Sequence, residues 1–418
     1  MGCGAVRADR AFVLQRDCPS LQPKVAHDEK GQGNEHVADP QPLSPPPSTQ
    51  LSIIAGILGL HCDDGHGRPP TAALQPHYTS RCFSSLPSPL HSGLEPAGSS
   101  SSSSSSPSSS EQSTAATRIN KRETTREKVT LKLTYLEINS WVWEVQQQQG
   151  QAAPLRILVD PLVVGNLDFG APWLFDGAKK NPRVKALGVD DLLAPEPGPD
   201  LLLITQSLDD HCHVRTLTQL SARAPDLPVV TTPNAQPVLD SLPTPFRRVT
   251  YLEPGQSAAV GDHHQIRVLA TAGPVLGPPW QRPENGYILL MDGHGVLYYE
   301  PHCVYGRSFL EEKRLRAEVV ITPVVKQLLP ANFTLVSGQE DAVDLARLLR
   351  ARYVVPMSNG DVDAGGIMAA LLSKQGTTQS FQAMLSEALP QVQVLEPTPG
   401  VPLQLELDIT SPTEADTI

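Results

Sequence analysis

The chain has 418 residues, with 33 Lys and Arg against 44 Asp and Glu and a formal net charge of −11. An acidic balance of that size, without a basic stripe, excludes a general nucleic-acid-binding surface. The six Cys include no Cys-x-x-Cys pair, and only Cys212 and Cys303 lie beyond residue 127. That argues against a disulfide framework and fits a reducing compartment.

Residues 1–127 hold only Phe12, Tyr78 and Phe83 as aromatics, and a Ser run at 99–110 is broken only by Pro107. Such a stretch buries too little apolar surface to offset its ordering entropy. It reads as a disordered leader and linker, followed by a folded domain over 128–405 and a flexible tail over 406–418. The best apolar run, Leu51–Leu60, is about half the length that spans a bilayer, so no membrane span is expected. The start Met1-Gly-Cys-Gly-Ala-Val6 lacks the Ser or Thr of a myristoylation signal. A Ser-rich leader before a folded domain is the layout of a transit peptide, although Asp9, Asp17, Asp28, Glu29 and Glu35 depart from its usual composition. A plain extension is the alternative.

From Lys128 the pattern predicts strands at Val129–Leu136, Asn139–Val145 and Leu155–Val159, an antiparallel meander. Gly165–Pro182 is irregular and reads as a capping or substrate-facing loop. Strands and helices then alternate: a strand at Leu201–Thr205, a helix at Val214–Ala224, a strand at Val229–Thr232 and a short helix at Ala235–Leu242. Strands follow at Ile266–Thr271, Tyr287–Met291 and Val296–Tyr299, the last two joined by the hairpin signal Asp292-Gly-His-Gly295. Val319–Pro323 and Tyr353–Pro356 are strands, Glu340–Ala351 and Ser373–Glu387 are helices, and Gln391–Glu396 is extended. This mixture predicts an α/β (α+β) fold in which two sheets carry helices outside them.

The chemistry gathers just past the buried runs. Asp210, His211 and His213 follow one strand, Glu300 and His302 another, and Asp361 and Asp363 the last. Carboxylates and imidazoles converging from loops after strands are what a divalent ion needs. The alternative is that Asp209-Asp-His211 caps the following helix or forms a structural hydrogen bond. His263-His264 reads as a solvent-exposed turn. Glu284 and Asn285 read as donors beside the same mouth, or as plain turn residues. Cys212 is a candidate nucleophile, soft ligand or spectator thiol. No Gly-x-Gly-x-x-Gly follows a strand, and Ser207 lacks the glycines of a nucleophile elbow. The four Trp read as core or pocket wall.

Residues about 130–400 resemble the metallo-β-lactamase superfamily. Thr205-Gln-Ser-Leu-Asp-Asp-His211 is similar to its Thr-His-x-His-x-Asp-His motif, and Val159-Asp-Pro161 to its early Asp-Pro strand end. Leu269–Pro274 resembles the strand and turn of its third His, Tyr298-Tyr-Glu-Pro-His302 falls at its bridging acid, and Val354-Val-Pro-Met-Ser358 resembles its final strand end. Asn139-Ser-Trp-Val-Trp143, Asp160-Pro161, Glu284-Asn-Gly-Tyr287 and Tyr298-Tyr-Glu-Pro-His302 are similar to a metallo-hydrolase/oxidoreductase-like branch of cyanobacteria and plastid-bearing eukaryotes.

The resemblance implies a four-layer αββα sandwich and a site for zinc or another divalent metal. Most ligands of the motif are replaced: Gln206 and Leu208 stand for its first two His, Pro274 or a neighbour for the third, and Ser358 for the last. Asp210 and His211 match. One zinc site is therefore expected to be absent. A set of Asp210, His211, Glu300 and His302 would hold a single ion, with Asp210 as catalytic carboxylate. Asp160, His213, Asn285 and Ser358 are further candidates. Two functions stay open. One is a divergent metal-dependent hydrolase of a small ester, lactone or phosphoester. The other is a metal-free pseudoenzyme that binds a small molecule or protein partner through the remnant cleft. The leader and the resemblance together imply a chloroplast location, with the cytoplasm as the alternative.

Overall fold

A computed structural model describes residues 126–147, 153–194, 196–261, 263–276 and 282–410. The leader to residue 125, Trp280 and residues 411–418 lie outside the described residues, as do the side chains of His263 and His264.

The first half of the chain builds one sheet. Strands β1 (Arg126–Tyr135), β2 (Trp141–Gln147) and β3 (Leu155–Val159) form the expected antiparallel meander. A short β4 (Asp176–Ala178) follows. Then β5 (Leu201–Leu203), β6 (Val229–Thr231) and β7 (Val249–Tyr251) add in parallel beside β3. Alternation explains the faces. Val129, Leu131, Leu133 and Tyr135 point into the core between the sheets, while Lys128 is exposed. The parallel strands are apolar on both sides: Leu201 and Leu203 join that core and Leu202 joins the helix layer beyond.

The second half builds its counterpart. β8 (Ser257–Val260), β9 (His263–Ala272), β10 (Asn285–Met291) and β11 (His294–Tyr299) are antiparallel. Asp292 (φ 48°) and Gly293 (φ 81°) make the tight β10–β11 turn, as the Asp-Gly pair predicted. β12 (Val319–Pro323), β15 (Tyr353–Met357) and β18 (Gln393–Val394) extend the sheet in parallel. Between them, β13 (Lys326–Leu329), β14 (Phe333–Val336) and β17 (Ser373–Gln375) form a small sheet, and β16 (Asp363–Gly365) pairs with β4. β19 (Pro402–Thr410) returns to the first sheet and pairs with β1. Both large sheets have seven strands, in the orders β19-β1-β2-β3-β5-β6-β7 and β18-β15-β12-β11-β10-β9-β8.

The helices cover the outer faces. The helix Val214–Arg223 packs Leu217 and Leu220 on the first sheet. The helices Glu340–Leu348 and Thr378–Ala388 pack Leu345, Ala346, Phe381 and Leu385 on the second. The result is the α/β sandwich of four layers. No helix among the described residues is long and apolar enough to cross a membrane.

Two expectations are corrected. The helix expected from Ser373 starts at Thr378, because Gly376 takes a left-handed φ of 80° and Thr377 accepts from the Ser380 amide as a cap. Residues 406–410, expected in a flexible tail, lie in β19, where Leu407 and Ile409 alternate into the core. The loop Gly165–Pro182 is irregular except at β4, and the helix Pro182–Lys185 begins at its end.

Candidate metal centre

The site lies where β1, β3, β5 and β11 meet their following turns. Asp160 follows β3 with a φ of 42°. Its Oδ1 accepts the Thr205 amide at 2.8 Å, and its Oδ2 accepts the Thr205 hydroxyl at 2.6 Å. The same Oδ2 lies 2.9 Å from His211 Nδ1. His211 is carried by a turn in which the amides of His211 and Cys212 both donate to Leu208 O. Cys212 anchors that turn in the helix-side core. His302 follows β11; its backbone amide donates to Glu300 Oε2, and its carbonyl accepts from Ser337 N.

Asn139 arrives from a constrained turn. Glu137 (φ 64°) and Ile138 (φ 55°) are consecutive residues in the left-handed region. A β-branched residue there costs about 1–3 kcal/mol. Burial of Ile138 against Leu162 and Leu167 holds it, as does the Tyr135 hydroxyl, which donates to Ile138 O at 2.9 Å. The turn delivers the Asn139 amide to Asp210, where Nδ2 donates to Oδ2 at 3.1 Å and to the backbone O at 3.2 Å.

Asp210, His211 and His302 each turn one ligand atom toward a common point, all within 4.8 Å of one another. The second nitrogen of each ring is already engaged: His211 Nδ1 by Asp160, and His302 Nδ1 by Gln206 Nε2 at 2.7 Å. Such partners fix ring orientation. Charge follows the packing. Burial lowers the pKa of His211, but the charges of Asp210 and Asp160 override it and push it up to about 10. Burial raises Asp210, yet the charge and hydrogen bond of His211 hold it below its ordinary range. Burial, then the His211 charge, pushes His302 down to about 4, so its ring is neutral at pH 7.

One ionised carboxylate, the neutral His302 ring and His211 once an ion displaces its Nε2 proton suit one borderline divalent ion. Asp210 Oδ1 supports the fit, since it is buried and has no hydrogen-bond partner. That is an acceptor atom left for a cation or a proton donor.

Glu300 stands outside this group. Tyr299 points between the sheets, its hydroxyl donating to Asn139 O at 2.7 Å, so strand parity sends Glu300 to the opposite face. There its Oε2 accepts the amides of His302 and Val304, at 3.1 and 2.6 Å. Burial raises it to about 8. His213 is also elsewhere: its Nδ1 meets the Thr216 hydroxyl at 2.8 Å, and burial, with the nearby Arg215 and Lys179 charges, lowers it to about 3.

The remaining candidates have other partners. Asn285 donates to Leu252 O and the Tyr287 hydroxyl. Glu284 accepts from the Ser207 hydroxyl at 2.6 Å. Ser358 is exposed and lines a cleft of about 140 Å³ with Glu137 and Asp361. Asp361 and Asp363 pair with Lys180 and Lys185. Asp209 performs the helix-start role considered for this acidic pair, accepting from Val214 N at 3.2 Å. The Cys212 thiol is buried and raised well above its ordinary range, which removes it as a nucleophile. Trp141 and Trp143 are core, whereas Trp173 is 66% exposed.

Three polar residues at this centre were not among the candidate site residues: Asn139, Thr205 and Gln206. Their only signal was position, Asn139 in the Asn-Ser-Trp run and Thr205-Gln206 at the start of the Asp-His motif.

A family model described as a β-lactamase superfamily domain matches residues 132–358. No curated protein matches the chain. Among solved structures, the metallo hydrolase Igni18 from the archaeon Ignicoccus hospitalis is similar at 17% identity, covering 66% of this chain and 99% of that one, with a TM-score of 0.43. The isothiocyanate hydrolase from Delia radicum gut bacteria is 16% identical, covering 65% and 98%, with a TM-score of 0.46. The metallo-β-lactamase-fold protein YhfI from Bacillus subtilis is 11% identical, covering 66% and 99%, with a TM-score of 0.41.

Proposed function

The chain belongs to the β-lactamase superfamily, and on that premise we propose that it is a divergent hydrolase acting with one divalent ion on a small ester, lactone or phosphoester. The observation that carries this reading is the convergence of Asp210, His211 and His302 around the unpartnered Asp210 Oδ1. These three residues would hold the ion. When bound, it would lower the pKa of a water and polarise the bond to be cleaved. Asp160 and Gln206 orient the two rings. Asp210 Oδ2 is taken by Asn139 Nδ2 and His211 Nε2, which leaves its buried, unpartnered Oδ1 to face the ion. With Gln206 and Leu208 in place of imidazoles, the reading has no second ion.

Metal analysis of the full chain, purified without a His tag, tests it. About one equivalent of a divalent ion, lost in both Asp210→Ala and His302→Ala, supports it. Less than about a tenth of an equivalent, with no change in Asp210→Ala, sinks it.

A second reading has its own observation. His211 lies between two carboxylates, 2.9 Å from Asp160 and 3.1 Å from Asp210, and is protonated at neutral pH. That imidazolium supplies the positive charge an ion would bring, as a metal-free ligand-binding member requires. A chloroplast location belongs to the proposal as well; a reporter fused to residues 1–127 that stays in the cytosol removes it.

A further inference from the structure

The side-chain amide of Asn139 is loaded unevenly. Its Nδ2 has three polar neighbours: Asp210 Oδ2 at 3.1 Å, Asp210 O at 3.2 Å and His211 Nε2 at 3.0 Å. Its Oδ1, equally buried, has no partner at all. An amide nitrogen carries two hydrogens, so it cannot serve three neighbours well, and the carbonyl oxygen loses its hydration without return.

Oxygen and nitrogen of an amide have nearly the same size. A half-turn about the last side-chain bond exchanges them without disturbing the packing. In a metal-free site the exchange is unfavourable, since it loses the bonds to Asp210 and sets Oδ1 against two oxygens of that residue. With a cation among Asp210, His211 and His302, the balance reverses. The N–H groups then point at positive charge, and the carbonyl oxygen is a hard ligand of the kind divalent ions accept.

We propose that Asn139 is a two-position gate of the metal site. Its N–H groups tie Asp210 down when the site is empty, and its Oδ1 turns in as an additional ligand when an ion enters. The turn at Glu137-Ile138 presents the amide at this point, and the Tyr299 hydroxyl on Asn139 O keeps the backbone still while the side chain rotates. This inference rests on the single-ion reading above.

The test is titration of the full chain with Co²⁺, read by its visible ligand-field bands and by competition with Zn²⁺. For wild type, binding is expected. Asn139→Ala, which lacks the oxygen, is expected to bind about 10–100-fold more weakly with an altered visible spectrum. Asn139→Asp offers an oxygen in both positions and is expected to restore affinity to wild type or better. It also keeps the proposal testable if the alanine variant fails to fold. Wild type that binds Co²⁺ with Asn139→Ala equal or tighter overturns the gate and leaves the single-ion reading standing. Asn139→Asp binding more weakly than wild type overturns the gate in the same way. Wild type that binds no Co²⁺ overturns both.

Discussion

Asp160 Oδ2 lies 2.9 Å from His211 Nδ1, with both side chains fully buried. The contact determines which nitrogen of the ring faces Asp210. Thr205 locks the carboxylate from two directions, so the ring has one orientation available. Asp160→Asn keeps the shape and removes the charge. Metal affinity is expected to fall about 10–100-fold, measured by competition with a chelating dye, with little change in far-ultraviolet circular dichroism.

Glu300→Gln separates a ligand from a turn residue. Its carboxylate accepts two backbone amides of its own turn, and Gln can replace only part of that. A stability loss of about 1–3 kcal/mol in urea unfolding is expected, with metal stoichiometry unchanged. Loss of metal without loss of stability would return Glu300 to the ligand set.

Lys179 carries a pH dependence. Its side chain is buried beside Glu137, and burial lowers its pKa to about 8 against an ordinary 10.5. Between those values the unfolded chain binds the extra proton, so stability rises with pH there. The difference of about 2.5 units corresponds to at most about 3 kcal/mol, present in full above pH 10.5 and absent below pH 8. Denaturant melts from pH 7.5 to 10.5 should show this slope, and Lys179→Met should flatten it.

Gly295 is a close-approach position. A Cβ built there would lie 1.8 Å from Arg316 O, a backbone atom that cannot swing away. Gly295→Ala is expected to cost about 3 kcal/mol or more, lowering Tm by about 6–12 °C in a thermal melt. A Tm within a degree or two of wild type would mean that the start of β11 gives way easily.

Much of the frame was legible because it rests on period and turn chemistry. Leu155–Val159 is a strand of the expected length, and the Asp-Gly pair makes the expected hairpin. β19 was missed although Leu403, Leu405, Leu407 and Ile409 alternate, because its outward face of Gln404, Glu406 and Asp408 reads as a polar tail. The site was legible where residues sit in one turn, as Asp210 and His211 do. Glu300 and His302 lie two apart and looked equivalent, but His302 is past the end of β11, where strand parity no longer holds. Asn139 was expected at the start of a strand, but β2 begins at Trp141, and only the fold brings the Asn139 amide to residue 210.

The β1–β19 ladder runs from Arg126 paired with Thr410 to Thr134 paired with Pro402. A ribosome therefore makes β1 first of these strands and its partner last. Throughout that interval β1 presents a bare row of amides and carbonyls beside Leu131 and Leu133, a template for pairing with another nascent chain. Premature termination anywhere before residue 402 leaves that edge open for good, so shortened chains should be recovered as aggregates and not as smaller folded proteins.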